Sequence, residues 1–178
     1  MLGFRILLVD ADPQGSLSQG FLGSTVVENL PAEQTLASLF DERFSFAEPA
    51  ALVQATPFER ISIVPANQQL APYNQPVPEQ QGLRQYAVRD LLDSVSGYDV
   101  VLIDCPPNLY LCSWAAMAAS DYVVIPVPPE DFGTQGLRIV HQAIDNVRAL
   151  NPTLRRLGHQ IARYDGRLLV HQSYHEKL

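Results

Sequence analysis

Short apolar runs constrain the fold of this chain more than any other feature of its sequence. Five of them, four to six residues long, lack the strict apolar–polar alternation of a strand that has one face in water. Such runs are typical of strands that are buried on both faces of a parallel sheet. The five predicted strands are Ile6–Val9, Ile61–Val64, Val100–Ile103, Tyr122–Val127 and Leu157–Ala162.

Segments with the helical spacing of apolar residues lie between these runs. The alternation of strands and helices predicts an α/β fold, in which right-handed crossovers place helices against a mostly parallel sheet. Asn67–Gly82, rich in proline and glutamine, is predicted to be a surface loop, and another helix is expected to begin near Gly166. No linker or repeat divides the sequence, so we expect one domain over residues 1–178. The other predicted helices are Thr35–Asp41, Gln85–Val95, Leu109–Ala119 and Gly136–Leu150.

The composition excludes several classes of protein. Hydrophobic residues make up 47% of the chain and charged residues 17%, which is typical of a globular domain rather than a disordered one. A net charge of -7 argues against a broad basic face for nucleic acid. No run approaches the roughly 20 apolar residues of a membrane span, and the first residues lack a signal-peptide pattern, so a cytoplasmic protein is expected. Cys105 and Cys112 are predicted to be small buried hydrophobes rather than a redox or metal pair.

The first predicted strand ends in the sequence DADPQG, which places Asp10 and Asp12 two residues apart at one strand end. Sites in parallel sheets form at the carboxyl ends of strands. Two carboxylates placed in this way can hold hydrated Mg²⁺ or orient a water molecule. The same residues could instead form a simple turn, in which an aspartate caps the following helix.

Two later strands also end in informative residues. The run YDVVLIDCPP ends in Asp104, and a hydrophobic strand that ends in one aspartate is the Walker B arrangement, in which the carboxylate reaches Mg²⁺ through water. The run SDYVVIPVPPEDF has Pro126 within the predicted strand and Pro128 just after it. Proline there indicates a strand end or an interrupted edge.

Taken together, these segments resemble the ParA/MinD family of P-loop ATPases, and its chromosome and plasmid partitioning branch in particular. Ile6–Gly15 resembles the family's switch stretch LLVDxDPQG, and Tyr98–Asn108 resembles its Walker B stretch YDxxxIDxPPxL. Asp121–Leu137 resembles DxxxIPVxPExFxxxGL, and the RYD sequence that begins at Arg163 resembles a later family segment. The four segments follow the family's order, which makes the resemblance more specific than any one of them.

The resemblance implies a three-layer P-loop NTPase-like fold and a site for ATP and Mg²⁺. By position, Asp12 would orient the attacking water, while Asp10 and Asp104 would serve the shell of the metal. Pro128 and Arg163 would lie near the adenine. The family's proteins dimerise on ATP, bind DNA without sequence preference and meet a centromere-binding partner, whereas the membrane-directed branch is not favoured here.

The family's phosphate-binding loop is absent from the sequence. No GxxxxGK[ST] or KGGxGKT pattern occurs, and Lys177 is the only lysine. The resemblance therefore predicts a domain that lacks the first strand, loop and helix and is truncated at both ends. We expect weak or absent ATP binding, because the loop's N–H groups and lysine normally neutralise the phosphates. The missing strand would leave backbone groups unpaired and an apolar face uncovered unless a partner protein or a second copy fills the sheet.

Two alternatives remain open at this point. The same fold could serve as a non-catalytic pseudo-ATPase that binds a partner protein. A response-regulator receiver would also have acidic strand ends, but its phospho-accepting aspartate follows the acidic pair sooner than Asp104 follows Asp12, and it needs a lysine on a later strand.

A metal site at His171 and His175 has only the adjacent Glu176 as a further ligand, so an exposed helix end is the simpler interpretation.

Overall fold

The computed structural model describes residues 3–44, 48–127, 134–162 and 167 of the chain. The chain divides into two compact units, Met1–Ala119 and Ser120–Leu178. The single domain expected over residues 1–178 stays a prediction.

The first unit contains a four-stranded, mostly parallel sheet. Its strands are β1 (Ile6–Asp10), β2 (Gln54–Ala55), β3 (Ile61–Val64) and β4 (Val100–Asp104), in the order β2-β3-β1-β4. Strand β1 is parallel to both of its neighbours, and the two-residue strand β2 is antiparallel to β3. The predicted α/β class and the three predicted strands of this unit are confirmed, and β1 and β4 each extend one residue further to include the aspartate.

The pairing of β1 with β4 aligns the ends of the two strands at the carboxyl edge of the sheet. The register runs from Ile6 opposite Val100 to Asp10 opposite Asp104, so both strands end at the same level. Strand β4 is the last strand of its sheet, and within the described residues no strand pairs with its outer edge. The side chain of Leu102 in this strand is 53% exposed. An open strand edge of this kind presents unpaired backbone groups to its surroundings.

The main hydrophobic core lies on one face of this sheet. Leu7 and Val9 of β1 are fully buried there because alternate residues of a strand point to the same face. Helices α3 (Ala87–Ser94) and α4 (Leu111–Ala119) contribute to the core, and every residue of α4 except Ala119 is buried. The helix predicted over Leu109–Ala119 is therefore confirmed, and it is almost wholly buried.

Two short helices follow β1 and were not predicted from the sequence. Helix α1 covers Ser16–Leu22 and α2 covers Ser24–Glu28, with Gly23 between them. Neither helix is long enough to show a clear apolar period, and their small polar residues are more typical of turns. The predicted helix Thr35–Asp41 is a 3₁₀-helix over Leu36–Phe40.

The segment Asn67–Gly82, predicted to be a surface loop, is exposed over most of its length, but parts of it are folded and packed. The segment contains two 3₁₀-helices, Gln68–Tyr73 and Pro78–Gln80, and Leu70 is fully buried. The side-chain amide of Asn67 donates hydrogen bonds of 2.9 Å to the carbonyl oxygens of Val27 and Leu30. The proline- and glutamine-rich sequence of this segment gives no sign of the packing. A search for periodicity also misses it, because 3₁₀-helices have neither the period of a strand nor that of an α-helix. The remaining 3₁₀-helices of the described residues are Ala32–Gln34, Pro49–Leu52 and Gly82–Tyr86.

The second unit contains a two-stranded parallel sheet and one helix within its described residues. Strands β5 (Tyr122–Val127) and β6 (Arg155–Ile161) pair along their length, and α5 covers Thr134–Val147. The predicted strands and helix of this region are confirmed with shifts of a few residues at β6 and α5. The helix expected near Gly166 lies outside the described residues. Within the described ranges, every helix is too short or too polar to traverse a bilayer.

Candidate functional site

Two carboxylates lie side by side at the carboxyl edge of the four-stranded sheet. Asp10 ends β1 and Asp104 ends β4, and the two residues are register partners. One residue further on, the backbone N–H of Ala11 donates a 2.8 Å hydrogen bond to the carbonyl oxygen of Asp104. Asp12 follows, close enough for its charge to raise the pKa of the Asp104 carboxyl. The structure thus brings together three of the five site residues predicted from the sequence.

The carboxylate of Asp10 is completely buried, and both of its oxygens accept hydrogen bonds. Oδ1 accepts from the backbone N–H of Asp12 at 3.1 Å. Oδ2 accepts from the backbone N–H of Ser18 at 2.8 Å and from its hydroxyl at 2.6 Å. Burial raises the pKa of Asp10, while the hydrogen bonds from Ser18 and Asp12 oppose that rise and the charge of Asp104 adds to it.

Asp12 lies in a tight turn between β1 and α1, and its side chain is partly exposed. Its Oδ1 accepts the backbone N–H of Gln14 at 2.9 Å, and its carbonyl oxygen accepts the N–H of Gly15 at 2.9 Å. Gly15 has a φ of 64°, and a Cβ atom built on it would lie 2.5 Å from the carbonyl oxygen of Ala66. The turn therefore requires glycine for its backbone conformation and for its close contact with the segment after β3.

Asp104 differs from Asp10 in being largely exposed. Partial desolvation by the neighbouring protein raises the pKa of its carboxyl, and repulsion from Asp12 raises it further. The site therefore concentrates negative charge at one edge of the sheet. A cation or a set of hydrogen-bond donors bound there would reduce the repulsion between Asp12 and Asp104.

The donor set suits a hydrated cation better than one bound directly by protein. Among the described residues, no group of three or more His, Cys, Asp or Glu side chains is arranged to hold a metal ion. Mg²⁺ usually keeps several waters and uses only one or two carboxylates of the protein. Asp12 and Asp104 fit this pattern because both reach solvent. Asp10 fits it less well, since its oxygens already accept three hydrogen bonds.

The loop after β4 is anchored by an asparagine pair that the sequence analysis did not identify. Asn108 Oδ1 accepts the backbone N–H of Tyr110 at 3.1 Å and faces the side-chain amide of Asn74 at 3.3 Å. The Oδ1 atom of Asn74 in turn accepts the backbone N–H of Cys112 at 3.1 Å. These contacts tie the loop and the start of α4 to the 3₁₀-helical segment before α3.

Ser18 is the other functional candidate that sequence reasoning missed. Its hydroxyl is buried and bonded to Asp10, although it stands eight residues further along the chain. The only available signal was a small polar residue within the segment that follows DPQG. Such a residue would normally be interpreted as part of an exposed turn or cap.

Several residues singled out from the sequence lie outside the residues that the structure describes. They are Pro128, Arg163, His171, His175 and Glu176.

The two cysteines behave differently from each other. Cys112 is fully buried, as predicted, and burial raises the pKa of its thiol to about 12. Cys105, next to Asp104, is exposed at the surface rather than buried as predicted, although desolvation by the surrounding protein raises the pKa of its thiol to about 12.

Comparison with known proteins finds relatives that are named as partitioning proteins. A family model described as an AAA domain matches residues 1–156. The chromosome partitioning protein ParA of Caulobacter vibrioides is 34% identical over 170 residues, which cover 93% of this chain and 60% of that protein. The chromosome-partitioning ATPase Soj of Thermus thermophilus is 34% identical over 179 residues, which cover 99% of this chain and 64% of that protein. The chain thus spans roughly three-fifths of the length of these relatives.

Solved structures support the fold. A cobyrinic acid a,c-diamide synthase from Mycobacterium smegmatis, with bound ATP analog and magnesium, superposes with a TM-score of 0.83 at 28% identity, over 98% of this chain and 69% of that one. A plasmid partition protein from Borrelia burgdorferi has a TM-score of 0.79 at 21% identity, over 99% of this chain and 72% of that one. The second likeness concerns the fold alone.

Proposed function

The chain belongs to the ParA/MinD family of P-loop ATPases, and from this premise we propose that it is a ParA-like domain that acts in the partitioning of chromosomal or plasmid DNA. The observation that carries the proposal is the alignment of Asp10 with Asp104 at the ends of parallel strands, with Asp12 held in a tight turn beside them. Partitioning proteins are also among the relatives that match nearly all of this chain.

Each carboxylate has a separate role in this proposal. Asp12 orients the attacking water, because its side chain reaches solvent from a turn that fixes its backbone. Asp104 would accept hydrogen bonds from the water shell of Mg²⁺, and Asp10 would contribute the charge of its buried carboxylate to the same shell. When bound, Mg²⁺ would neutralise charge on the phosphates of the nucleotide. Pro128 and Arg163 are proposed to approach the adenine.

We further propose that this 178-residue chain binds Mg-ATP weakly. The carboxylates place negative charge where a nucleotide would bring more, and the sequence offers no lysine except Lys177 and no GxxxxGK[ST] loop to offset it. A pseudo-ATPase that binds a partner protein would share this weakness. A partitioning ATPase needs the carboxylate of Asp12, whereas a pseudo-ATPase that binds a partner protein does not.

The proposed partners follow from the family. They are a second copy of the chain or a partner protein that completes the sheet beside β4, a centromere-binding partition protein, and DNA bound without sequence preference in the cytoplasm. The support for DNA binding on the described surface is limited to neighbouring exposed arginines such as Arg155 and Arg156 on β6, against a net charge of -7 for the whole chain.

Calorimetric titration with Mg-ATP tests the weak-binding part of the proposal. We expect the purified chain to give no saturable heat at micromolar nucleotide, and the Asp12→Ala variant to behave in the same way. Micromolar affinity for Mg-ATP would contradict this part, because the phosphates would then have to be held by donors other than a GxxxxGK[ST] loop and its lysine.

Loss of DNA from dividing cells tests the partitioning function itself. Asp12→Ala, introduced into the gene in its native host, is expected to raise the fraction of cells that lose the partitioned chromosome or plasmid. Asp93→Ala is the matched control, since Asp93 is an exposed carboxylate on α3 away from the strand ends. Equal loss frequencies for Asp12→Ala and the unmodified gene would overturn the ATPase-dependent proposal and favour the pseudo-ATPase.

A further inference from the structure

The hydroxyl of Ser18 joins three segments of the chain at one buried point. It donates a 2.6 Å hydrogen bond to Asp10 Oδ2 at the end of β1. It accepts a 2.9 Å hydrogen bond from the backbone N–H of Ala66, two residues past β3. Ser18 itself lies in α1 and has no exposed surface. One oxygen atom therefore connects the ends of two neighbouring strands and the helix between them.

The proton of this hydroxyl and one of its lone pairs have defined partners. A serine hydroxyl has one proton to donate and lone pairs to accept with. The proton of Ser18 is directed at Asp10, and a lone pair receives the N–H of Ala66. A buried donor or acceptor left without a partner is destabilising, so each of these bonds constrains the position of its partner.

The contact with Asp10 extends to the turn that carries Asp12. While Oδ2 of Asp10 is held by Ser18, Oδ1 accepts the backbone N–H of Asp12 at 3.1 Å. The turn is held from its other end as well, because Gly15 lies against the carbonyl oxygen of Ala66. The peptide groups at Ala66 thus meet Ser18 through an N–H and Gly15 through a carbonyl oxygen.

We propose that Ser18 is a positioning residue for Asp12: its hydroxyl orients the carboxylate of Asp10, and Asp10 in turn fixes the backbone of Asp12 at the edge of the sheet. The inference rests on the proposed function only in regarding Asp12 as a functional group. The geometric relay from Ser18 to Asp12 stands on the hydrogen bonds alone and can be tested without nucleotide.

Removal of the hydroxyl separates a relay from a local packing contact. In Ser18→Ala the N–H of Ala66 loses its acceptor, and Asp10 Oδ2 keeps only the backbone N–H of Ser18. The carboxylate of Asp10 is then held by two hydrogen bonds instead of three, and if the relay operates its bond to the N–H of Asp12 weakens. If Ser18 merely packs, the disturbance stops at Ala66.

Amide NMR and hydrogen exchange of the full chain provide the readout. In Ser18→Ala we expect the Ala66 amide to exchange at least tenfold faster and the Asp12 amide resonance to move clearly. Ser18→Thr retains the hydroxyl and is expected to restore both signals. Ser16→Ala is the matched control, since Ser16 is an exposed serine of the same helix, and it is expected to leave both amides unchanged. If Ser18→Ala does not fold, Ser18→Cys supplies a weaker donor of similar size and is expected to change the same two amides less strongly.

The outcomes distinguish this inference from the proposed function. A changed Ala66 amide with an unchanged Asp12 amide in Ser18→Ala or Ser18→Cys would overturn the relay, whatever Asp12→Ala does to partitioning in cells. Faster exchange of the Ala66 amide together with a shifted Asp12 amide resonance, both restored in Ser18→Thr, supports the relay. This holds even if Asp12→Ala leaves DNA loss unchanged, in which case only the proposed function fails.

Discussion

Strands β1 and β4 are built from nearly the same sequence pattern, yet their surroundings differ. Each has four apolar residues followed by an aspartate, and the two strands pair in register. Strand β1 has strand neighbours on both sides, whereas β4 has one within the first unit. Leu8 is 7% exposed, and its register partner Leu102 is 53% exposed. Position within the sheet, rather than hydrophobicity, therefore decides how much each strand is buried.

The same difference separates the two aspartates that end the strands. Asp10 is enclosed and bonded to backbone and hydroxyl donors, while Asp104 is largely exposed and has Asp12 as its main charged neighbour. One carboxylate therefore organises the surrounding chain, and the other is available to water or a hydrated cation. Two residues that look equivalent in the sequence have different chemistry in the fold.

The largest test of the comparison uses the register partners Leu8 and Leu102. Leu8→Ala is expected to lower the free energy of unfolding by about 2–4 kcal/mol, because it removes a buried side chain and leaves a cavity. Leu102→Ala is expected to cost less than about 1 kcal/mol, because that side chain is already half in water. Urea unfolding followed by circular dichroism gives both values. Equal losses would show that the face of β4 is covered in solution, by a second copy or by another part of the protein.

A smaller effect is expected in the turn that follows β1. Gly15→Ala should lower the free energy of unfolding by about 1–3 kcal/mol, because its φ of 64° disfavours a side chain and the new Cβ would meet the carbonyl oxygen of Ala66. Gly20→Ala is the control within α1, where a Cβ meets nothing within 4 Å. That substitution should stabilise the chain by about 0.5–1 kcal/mol, because alanine is the better helix former. Thermal unfolding of both variants checks the prediction, and a loss at Gly20 similar to that at Gly15 would contradict it.

The smallest effects concern the paired aspartates and depend on pH. Asp10→Asn should lower the free energy of unfolding by about 1–2 kcal/mol at neutral pH. In the unmodified chain the two carboxylate oxygens of Asp10 accept hydrogen bonds from Asp12 and Ser18, whereas the amide of asparagine has only one oxygen that can accept them. Asp104→Asn should stabilise the chain slightly, by less than about 0.5 kcal/mol after solvent screening, since it removes repulsion from Asp12.

The sign of the pH dependence follows from the raised pKa of Asp104. A carboxyl whose pKa is higher in the folded state favours folding below its ordinary pKa of 3.8 and loses that contribution as the pH rises through the folded value. The advantage of Asp104→Asn over the unmodified chain should therefore grow from pH 4 to pH 7. Urea midpoints across this range measure it, and an advantage that shrinks with rising pH would show that the pKa of Asp104 is lowered.

The sequence determined five of the six strands in the described residues, the order of the main helices and the three aspartates at or next to the strand ends. Apolar runs and helical spacing are local properties, and parallel pairing aligns the carboxyl ends of strands whichever residues occupy them. Local patterns are therefore enough to place Asp10, Asp12 and Asp104 together. They are not enough to find β2, α1, α2 or the packed 3₁₀-helices of Gln68–Tyr73 and Pro78–Gln80.

Only the tertiary structure decided which aspartate is buried and what holds it. Ser18 reaches Asp10 across eight residues and Ala66 across 48, and no local pattern encodes those hydrogen bonds. The exposure of β4 likewise depends on which strands pair beside it, since the free energy of burying an apolar strand depends on the neighbours that exclude water from it. Hydrophobicity can select a strand from local sequence, but burial is a property of the assembled sheet.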